Sequence, residues 1–329
     1  MRAAHRLAKA TRSRLHDFWL LYAAPALPSR LPWRWAYVCY RFMARFGNFF
    51  PEPAAAAARV APRFLPIDDV EALKRDVRTV WLLDAVDLWL SRRHPTDWLP
   101  WHVTVEGAWP EAGAFVAVSF HYSTGLWVFR DLRRHGRDVV LISARVDRSE
   151  YTGHPVRYHY GTSRMAEVER ISGEPIAYRP RVRERLLDAL ARGTPVISVM
   201  DMPPRMTPRG QRAVPLLGTT ASLPDGTVAL ARDAGVPLVP YWVEIDFARG
   251  TRKLVIGKPI APGPTERVIA ELARMLDMLI RADPAAWLFW NEWPAWIRDA
   301  AELRRDDAFS NAESEGGLDD IAPSTGARS

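Results

Sequence analysis

Short apolar runs closed by turn residues alternate along this chain with longer stretches whose apolar positions recur every three or four residues. That alternation allows few folds. The run Ala114-Phe115-Val116-Ala117-Val118-Ser119-Phe120 is too short for a free-standing helix and apolar on both alternating faces, as a strand buried within a parallel sheet must be. Val103-Thr104-Val105, Val139 to Ser143 and Pro195 to Val199 read as further strands. Helices are expected from an Asp68-Asp69-Val70-Glu71 start to about Leu90, from about Ser123 to Arg134 with a stop at Gly136, and across Val182 to Leu190 with a stop at Gly193. Pro224 to Ala234 and, most clearly, Thr265 to Ile280 follow. Pro237 to Asp246 and Lys253 to Gly257 pair as a hairpin around Ala248-Arg249-Gly250, while Met202 to Thr220 reads as a Pro/Gly-rich loop. The expected fold is α/β, with a mostly parallel central sheet flanked by helices and with interfacial helices at the N-terminus.

Composition narrows the function classes. At 48% hydrophobic and 25% charged over 329 residues the chain is neither disordered nor collagen-like. Its one cysteine, Cys39, excludes a disulfide framework and any Cys-based metal cluster. The net charge of +7 is uneven: residues 1–50 carry nine Lys/Arg against the single acid Asp17, whereas residues 302–329 sum to −4. With 41 Arg and only four Lys, part of the basic excess is compositional. Three regions are expected: an interfacial helical segment over 1–60, the α/β domain over 61–302 and a disordered acidic tail over 303–329.

No span reaches the roughly 20 apolar residues of a transmembrane helix. The best, Phe18 to Leu27, is about half that length and is broken by Pro25. Arg34, Arg41 and Arg45 are interleaved with Trp33, Trp35, Tyr37, Tyr40, Phe42 and Phe46. That mixture suits the water–lipid boundary, where rings sit at headgroup depth and Arg meets anionic lipid. The basic residues cluster beside Trp and Tyr on a helix rather than in a recognition module, so nucleic acid is not the expected partner.

There is no G-x-x-x-x-G-K, no strand-linked G-x-G-x-x-G and no H-E-x-x-H, and the nucleophile-elbow glycine is missing two residues before Ser123. His121 stands out because it follows the apolar strand directly. Ligands of open parallel sheets bind outside the carboxyl ends of strands. An imidazole there can take a proton from an alcohol or amine attacking a carbonyl; the other reading is a structural histidine at a strand end.

Several motifs lie in a telling order. Val105-Glu106-Gly107 precedes the strand and His121; Arg157-x-His159-x-Gly161 follows. Then come Arg192-Gly193-Thr194-Pro195-Val196 leading to Asp201, Val214-Pro215-Leu216-Leu217-Gly218, Leu230-Ala231 and Gly235-Val236-Pro237-Leu238-Val239-Pro240. Asp283-Pro284-Ala285-Ala286-Trp287-Leu288-Phe289-Trp290 closes the series. Together they resemble the lysophospholipid acyltransferase superfamily, and within it the late lipid A (lauroyl/myristoyl) acyltransferase branch. The resemblance implies an acyltransferase of lipid biosynthesis, peripheral on the cytoplasmic face of a bacterial inner membrane. Its donor would be an acyl carrier protein or coenzyme A thioester and its acceptor lipid-like, with no metal or redox cofactor. His121 would be the general base. Ser123 and Thr124 would hold the oxyanion or merely cap a helix, Arg145 and Arg157 would bind phosphates, and Gly218 would belong to the substrate site.

The chain departs from that family at one point. The signature H-x4-D/E supplies a carboxylate that orients the histidine, but the matching residue here is Leu126. Asp131 is ten residues on, roughly 15 Å along a helix. Asp201, at the end of an expected neighbouring strand, is the better substitute, and Glu174 a weaker one. Three readings stay open: a remote acid such as Asp201 serves His121; His121 works alone, on an acceptor such as an amine; or the chain has lost transfer chemistry and only binds lipid or carrier. A specialised carrier-dependent aminoacyl or acyl transferase, in secondary metabolism or envelope modification, is the alternative on the same fold.

Overall fold

The strand-forming runs assemble as their apolar pattern demands. In the computed structural model, which describes residues 11–93, 102–178 and 182–303, a seven-stranded sheet runs in the order β1-β9-β8-β2-β5-β3-β4. The strands are β1 (Val103–Glu106), β2 (Val116–Ser119), β3 (Val140–Ser143), β4 (Ala177–Tyr178), β5 (Val196–Val199), β8 (Leu238–Ile245) and β9 (Arg252–Ile256). Only the β8–β9 hairpin is antiparallel within it; the other junctions are parallel. β2 is central, so its residues are buried on both sides: Val116 and Val118 join one core cluster, Phe115 and Ala117 the other.

Helices cover the two faces. They are α1 (Trp33–Met43), α2 (Pro51–Val60), α3 (Val70–Arg93), α4 (Trp127–Arg134), α5 (Pro155–Ser172), α6 (Val182–Ala191), α7 (Gly226–Ala234) and α8 (Thr265–Ala282). Residues from α2, α6, α7 and α8 pack with the Trp-rich C-terminal segment in one cluster. Residues from α1, α4, α5 and most of α3 pack in the other. Asp69 starts α3 as its sequence predicts, its Oδ1 accepting from the Ala72 amide at 2.9 Å.

Two local expectations need correction, and one helix is an addition. The helix after His121 begins at Trp127, not Ser123, because Ser123 sits at φ 59°, a left-handed conformation that cannot belong to a right-handed helix. The segment read as a loop over Met202 to Thr220 contains a two-stranded hairpin, β6 (Gln211–Leu216) with β7 (Thr219–Pro224). Its two-residue turn, Leu217-Gly218, has both φ values positive. The addition is α5, for which the sequence carried no expectation; it bears the Arg157-x-His159-x-Gly161 piece. The acidic tail beyond residue 303 lies outside the described residues.

The N-terminal helices share the main core through Leu20, Ala24, Ala36, Tyr37 and Tyr40. Among the described residues no helix is long and apolar enough to cross a membrane. The outward side of α1 is nonetheless apolar. Trp35, Val38, Phe42 and, just past its end, Phe46 are each about half exposed at i, i+3, i+7 and i+11. Ala36, Tyr37 and Tyr40 point inward. Leu15, Phe18, Trp19, Leu27 and Leu31 extend the exposed apolar set on the preceding segment.

Candidate active site

Strand register alone brings the key pair together. β2 and β5 run parallel with Val116 beside Val196 and Ser119 beside Val199, so each residue of β2 faces the one eighty positions later. His121 and Asp201 both lie two residues past the last paired positions, at the carboxyl edge of the sheet. Asp201 is fully buried. Its Oδ1 accepts from the His121 backbone N–H at 2.7 Å and lies 2.8 Å from His121 Nδ1. Its Oδ2 accepts from Trp287 Nε1 at 3.0 Å. A carboxylate in this position assigns the ring proton to Nδ1 and leaves the lone pair on Nε2.

The C-terminal Trp-rich segment clamps the same turn. Leu288 N–H donates to His121 O at 2.9 Å, and Ser123 N–H donates to Ala286 O at 2.7 Å, so residues 286–288 run along 121–123 like a short strand. Phe289 covers one face of the imidazole, with ring centroids 4.1 Å apart. Trp287, Trp290, Trp293 and Trp296 are buried against one another, as a packed cap.

His121 opens into a cavity of about 1090 Å³ that straddles the sheet edge between α5, α6 and α7. Most of its wall is apolar; Met165, Met200, Met202 and Met206 supply an adaptable part of it. Ser123 and Thr124 also line it. Ser123 Oγ is buried with no hydrogen-bond partner among the described residues. A buried hydroxyl left unpaired costs free energy unless something else pairs with it.

The remaining sequence candidates lie elsewhere. Arg157 Nε donates to Asp17 Oδ1 at 2.8 Å, neutralising a carboxylate that is 1% exposed, and so ties α5 to the N-terminal segment. The Arg145 guanidinium lies 4.8 Å above the Tyr178 ring. Gly218 is the second turn residue of the β6–β7 hairpin, at φ 75°. None of the three lines the cavity, so the phosphate and substrate roles expected of them are not supported by position. Glu174 lies just past the α5 cap, also off the cavity, and Asp131 accepts instead from Trp109 Nε1 at 2.8 Å. Leu126 lines the cavity and is 1% exposed, with no carboxylate in its stead. Gly107 is required for packing: at φ 87°, a Cβ there would collide with the Ile256 carbonyl of β9.

Sequence reasoning missed two groups. Trp287, Leu288 and Phe289 shape the histidine's surroundings; the sequence marks them as part of its closing motif but not as neighbours of His121. Behind the cavity, the carboxylate of Asp87 on α3 is wholly buried and ion-paired with Arg252 of β9, and it accepts from Trp127 Nε1 at 2.6 Å. Burial pushes the Asp87 carboxyl up to about 6, against the opposing pull of the Arg252 charge. The Arg252 guanidinium in turn lies 4.9 Å from the Trp33 ring of α1. Among the described residues no three His, Cys, Asp or Glu side chains gather as metal ligands. No protein-family model matches the chain, and no curated protein matches its sequence.

Proposed function

We propose that this chain is an acyltransferase working at a membrane surface. It moves an acyl group from a carrier-protein or coenzyme A thioester to a hydroxyl or amine of a lipid-like acceptor. The observation that carries the reading is the His121–Asp201 pair: a buried carboxylate holds Nδ1 and the backbone of a histidine whose ring opens into a large, mostly apolar cavity. The acceptor's O–H or N–H donates to Nε2. As the acceptor atom bonds to the thioester carbonyl carbon, its proton passes to Nε2, and Asp201 stabilises the imidazolium. The Ser123 hydroxyl, with Thr124 beside it, donates to the oxyanion of the tetrahedral intermediate. Collapse breaks the C–S bond, and the departing thiolate takes the proton back from Nε2. The apolar wall accommodates the acyl chain.

The exposed stripe on α1, flanked by exposed Arg34 and Arg45, supports a peripheral attachment to anionic lipid. The location that goes with a thioester donor is the cytoplasmic face of a bacterial inner membrane. The test uses the full chain with anionic vesicles, acyl-CoA and acyl-carrier thioesters, and long-chain alcohol and amine acceptors, reading free thiol release. Wild type is expected to release thiol in an acceptor-dependent way and His121→Ala to lose it. If wild type never exceeds His121→Ala on any donor, acyl transfer is refuted and lipid or carrier binding is left. Faster turnover with amines than with alcohols would select the specialised transferase.

A further inference from the structure

Two charged side chains stand within the apolar wall of the cavity. Asp84 of α3 and Arg164 of α5 both line it, and their side chains are only 20% and 21% exposed. Arg164 Nη2 donates to Asp84 Oδ1 at 2.7 Å, and Nη1 donates to the Asp84 backbone carbonyl at 3.3 Å. Asp84 Oδ2 makes no hydrogen bond with a described residue and stays accessible from the cavity. Such a pair contributes little net stability, because desolvation offsets its attraction. Bracing α3 against α5 accounts for Oδ1 and leaves Oδ2 as an acceptor without a donor.

The two halves of the cavity differ in chemistry. Its apolar lining divides between the two cores, with Leu186, Met200 and Leu230 on one face of the sheet and Leu141, Val168 and Ile197 on the other. On the α6–α7 side the polar side chains Ser198 and Thr227 satisfy each other at 2.6 Å. The other charged lining residues, Arg183 and Arg209, are exposed to solvent. That half suits a plain hydrocarbon chain. The α3–α5 half carries the ion pair, and so a chain lying there meets a carboxylate oxygen and a guanidinium side by side.

We infer that Asp84 and Arg164 anchor a hydroxyl group of the substrate, remote from the reacting centre at His121. A hydroxyl donates to Oδ2 while accepting from the guanidinium, and being neutral it leaves the charges of the pair balanced. An ammonium would meet the charge of Arg164, and a carboxylate that of Asp84. The ligand is thus a hydroxylated aliphatic chain, belonging either to the acceptor or to the acyl group. Only that choice of source rests on the acyltransferase reading.

The test is equilibrium binding by calorimetry with the full chain, in wild type and in the double variant Asp84→Leu/Arg164→Met, which leaves no lone charge in the wall. The acceptor probes are octanol, its vicinal diol and its α,ω-diol; the donor probes are octanoyl-CoA and its β-hydroxy and ω-hydroxy forms. In wild type at least one hydroxylated probe is expected to bind at least about tenfold more tightly than its plain parent. The double variant should lose that preference and still bind the plain parent. Asp84→Asn keeps an acceptor for Arg164 but turns an NH₂ toward the cavity; it should lose most of the preference too, so the result does not hang on the folding of the double variant. Preference among the diols identifies the acceptor as source, and preference among the thioesters identifies the acyl chain. If wild type favours the plain parent in both series, or the variants keep the preference, the anchor is refuted. Binding is read without turnover. A hydroxyl preference with no thiol release refutes acyl transfer and leaves the anchor, whereas His121-dependent release with no hydroxyl preference refutes the anchor and leaves acyl transfer.

Discussion

Asp201 Oδ1 lies 2.8 Å from His121 Nδ1 and 2.7 Å from that residue's own backbone nitrogen. One carboxylate oxygen therefore fixes both the tautomer of the ring and the course of the chain that carries it. Because the acid follows the neighbouring strand β5, the histidine needs no carboxylate in the segment that follows it.

Asp201→Asn tests that division of labour. An amide can place its NH₂ group against Nδ1, favouring the tautomer whose Nε2 bears the proton and is useless as a base. The expected loss in thiol-release rate is about 10²–10⁴-fold, no larger than the loss in His121→Ala. Both proteins should keep wild-type circular dichroism. Equal rates for Asp201→Asn and wild type would remove Asp201 from the mechanism.

Trp287→Phe probes the far side of the same carboxylate. It deletes the 3.0 Å hydrogen bond to Oδ2 while keeping an aromatic ring in the cap. Hydrogen bonds to charged groups contribute about 1.5–3 kcal/mol, so the rate should fall roughly ten- to a hundredfold if Asp201 shifts. A kcat drop without a comparable change in KM is the expected signature of a positioning residue.

The legible part of this site was its edge, and the reason is local. An apolar strand followed at once by His, and another followed by Asp, announce themselves in a short window, and their equal offset past β2 and β5 follows from parallel pairing. The clamp formed by residues 286–288 is a contact across some 165 positions, which no local pattern encodes. The β6–β7 hairpin hid because its turn is Leu-Gly rather than Asn-Gly, with Leu217 itself at φ 52°. α5 hid because it lies between α3 and α4 and beside the N-terminal segment, and so lacks a single apolar stripe. Among 41 arginines, nothing in the sequence separates Arg164 on the cavity wall from Arg157, which neutralises Asp17.

A carboxylate placed at position 126 should not help. Leu126 is 1% exposed inside an apolar cluster, and Nδ1 is already satisfied by Asp201. Leu126→Asp therefore buries an acid that has no designed partner, at a cost of about 2–5 kcal/mol. Thermal unfolding should show a clear loss of stability and thiol release should show no gain. Faster turnover in this variant would mean that the histidine lacks an effective acid after all.

The α1 stripe makes a separable prediction. Trp35, Phe42 and Phe46 are 55%, 55% and 49% exposed, so replacing all three with Ser removes little folded-state packing. Each ring withdrawn from water contributes about 1–2 kcal/mol to membrane affinity. The triple variant should float with anionic vesicles at least about a hundredfold more weakly, while its melting temperature stays close to wild type. Raising salt should weaken wild-type flotation as well, because the exposed Arg34 and Arg45 are screened.

The buried Asp87 gives the fold a pH dependence of known sign. Its carboxyl stands near 6 in the folded chain against an ordinary 3.8, because burial disfavours its charge more than Arg252 favours it. The folded state thus binds this proton more tightly than the unfolded state does. The stabilisation that protonation brings is fully present below about pH 3.8, and it fades as pH rises through 6. Asp87→Asn cannot titrate, and Asp283, which burial also raises to about 6, is common to both proteins and cancels in the comparison. The stability of wild type minus that of Asp87→Asn, from urea unfolding, should therefore grow as pH falls from 7.5 to 5. A difference that stays flat or shrinks over that range would mean that the Arg252 pairing, not burial, sets the charge state of Asp87.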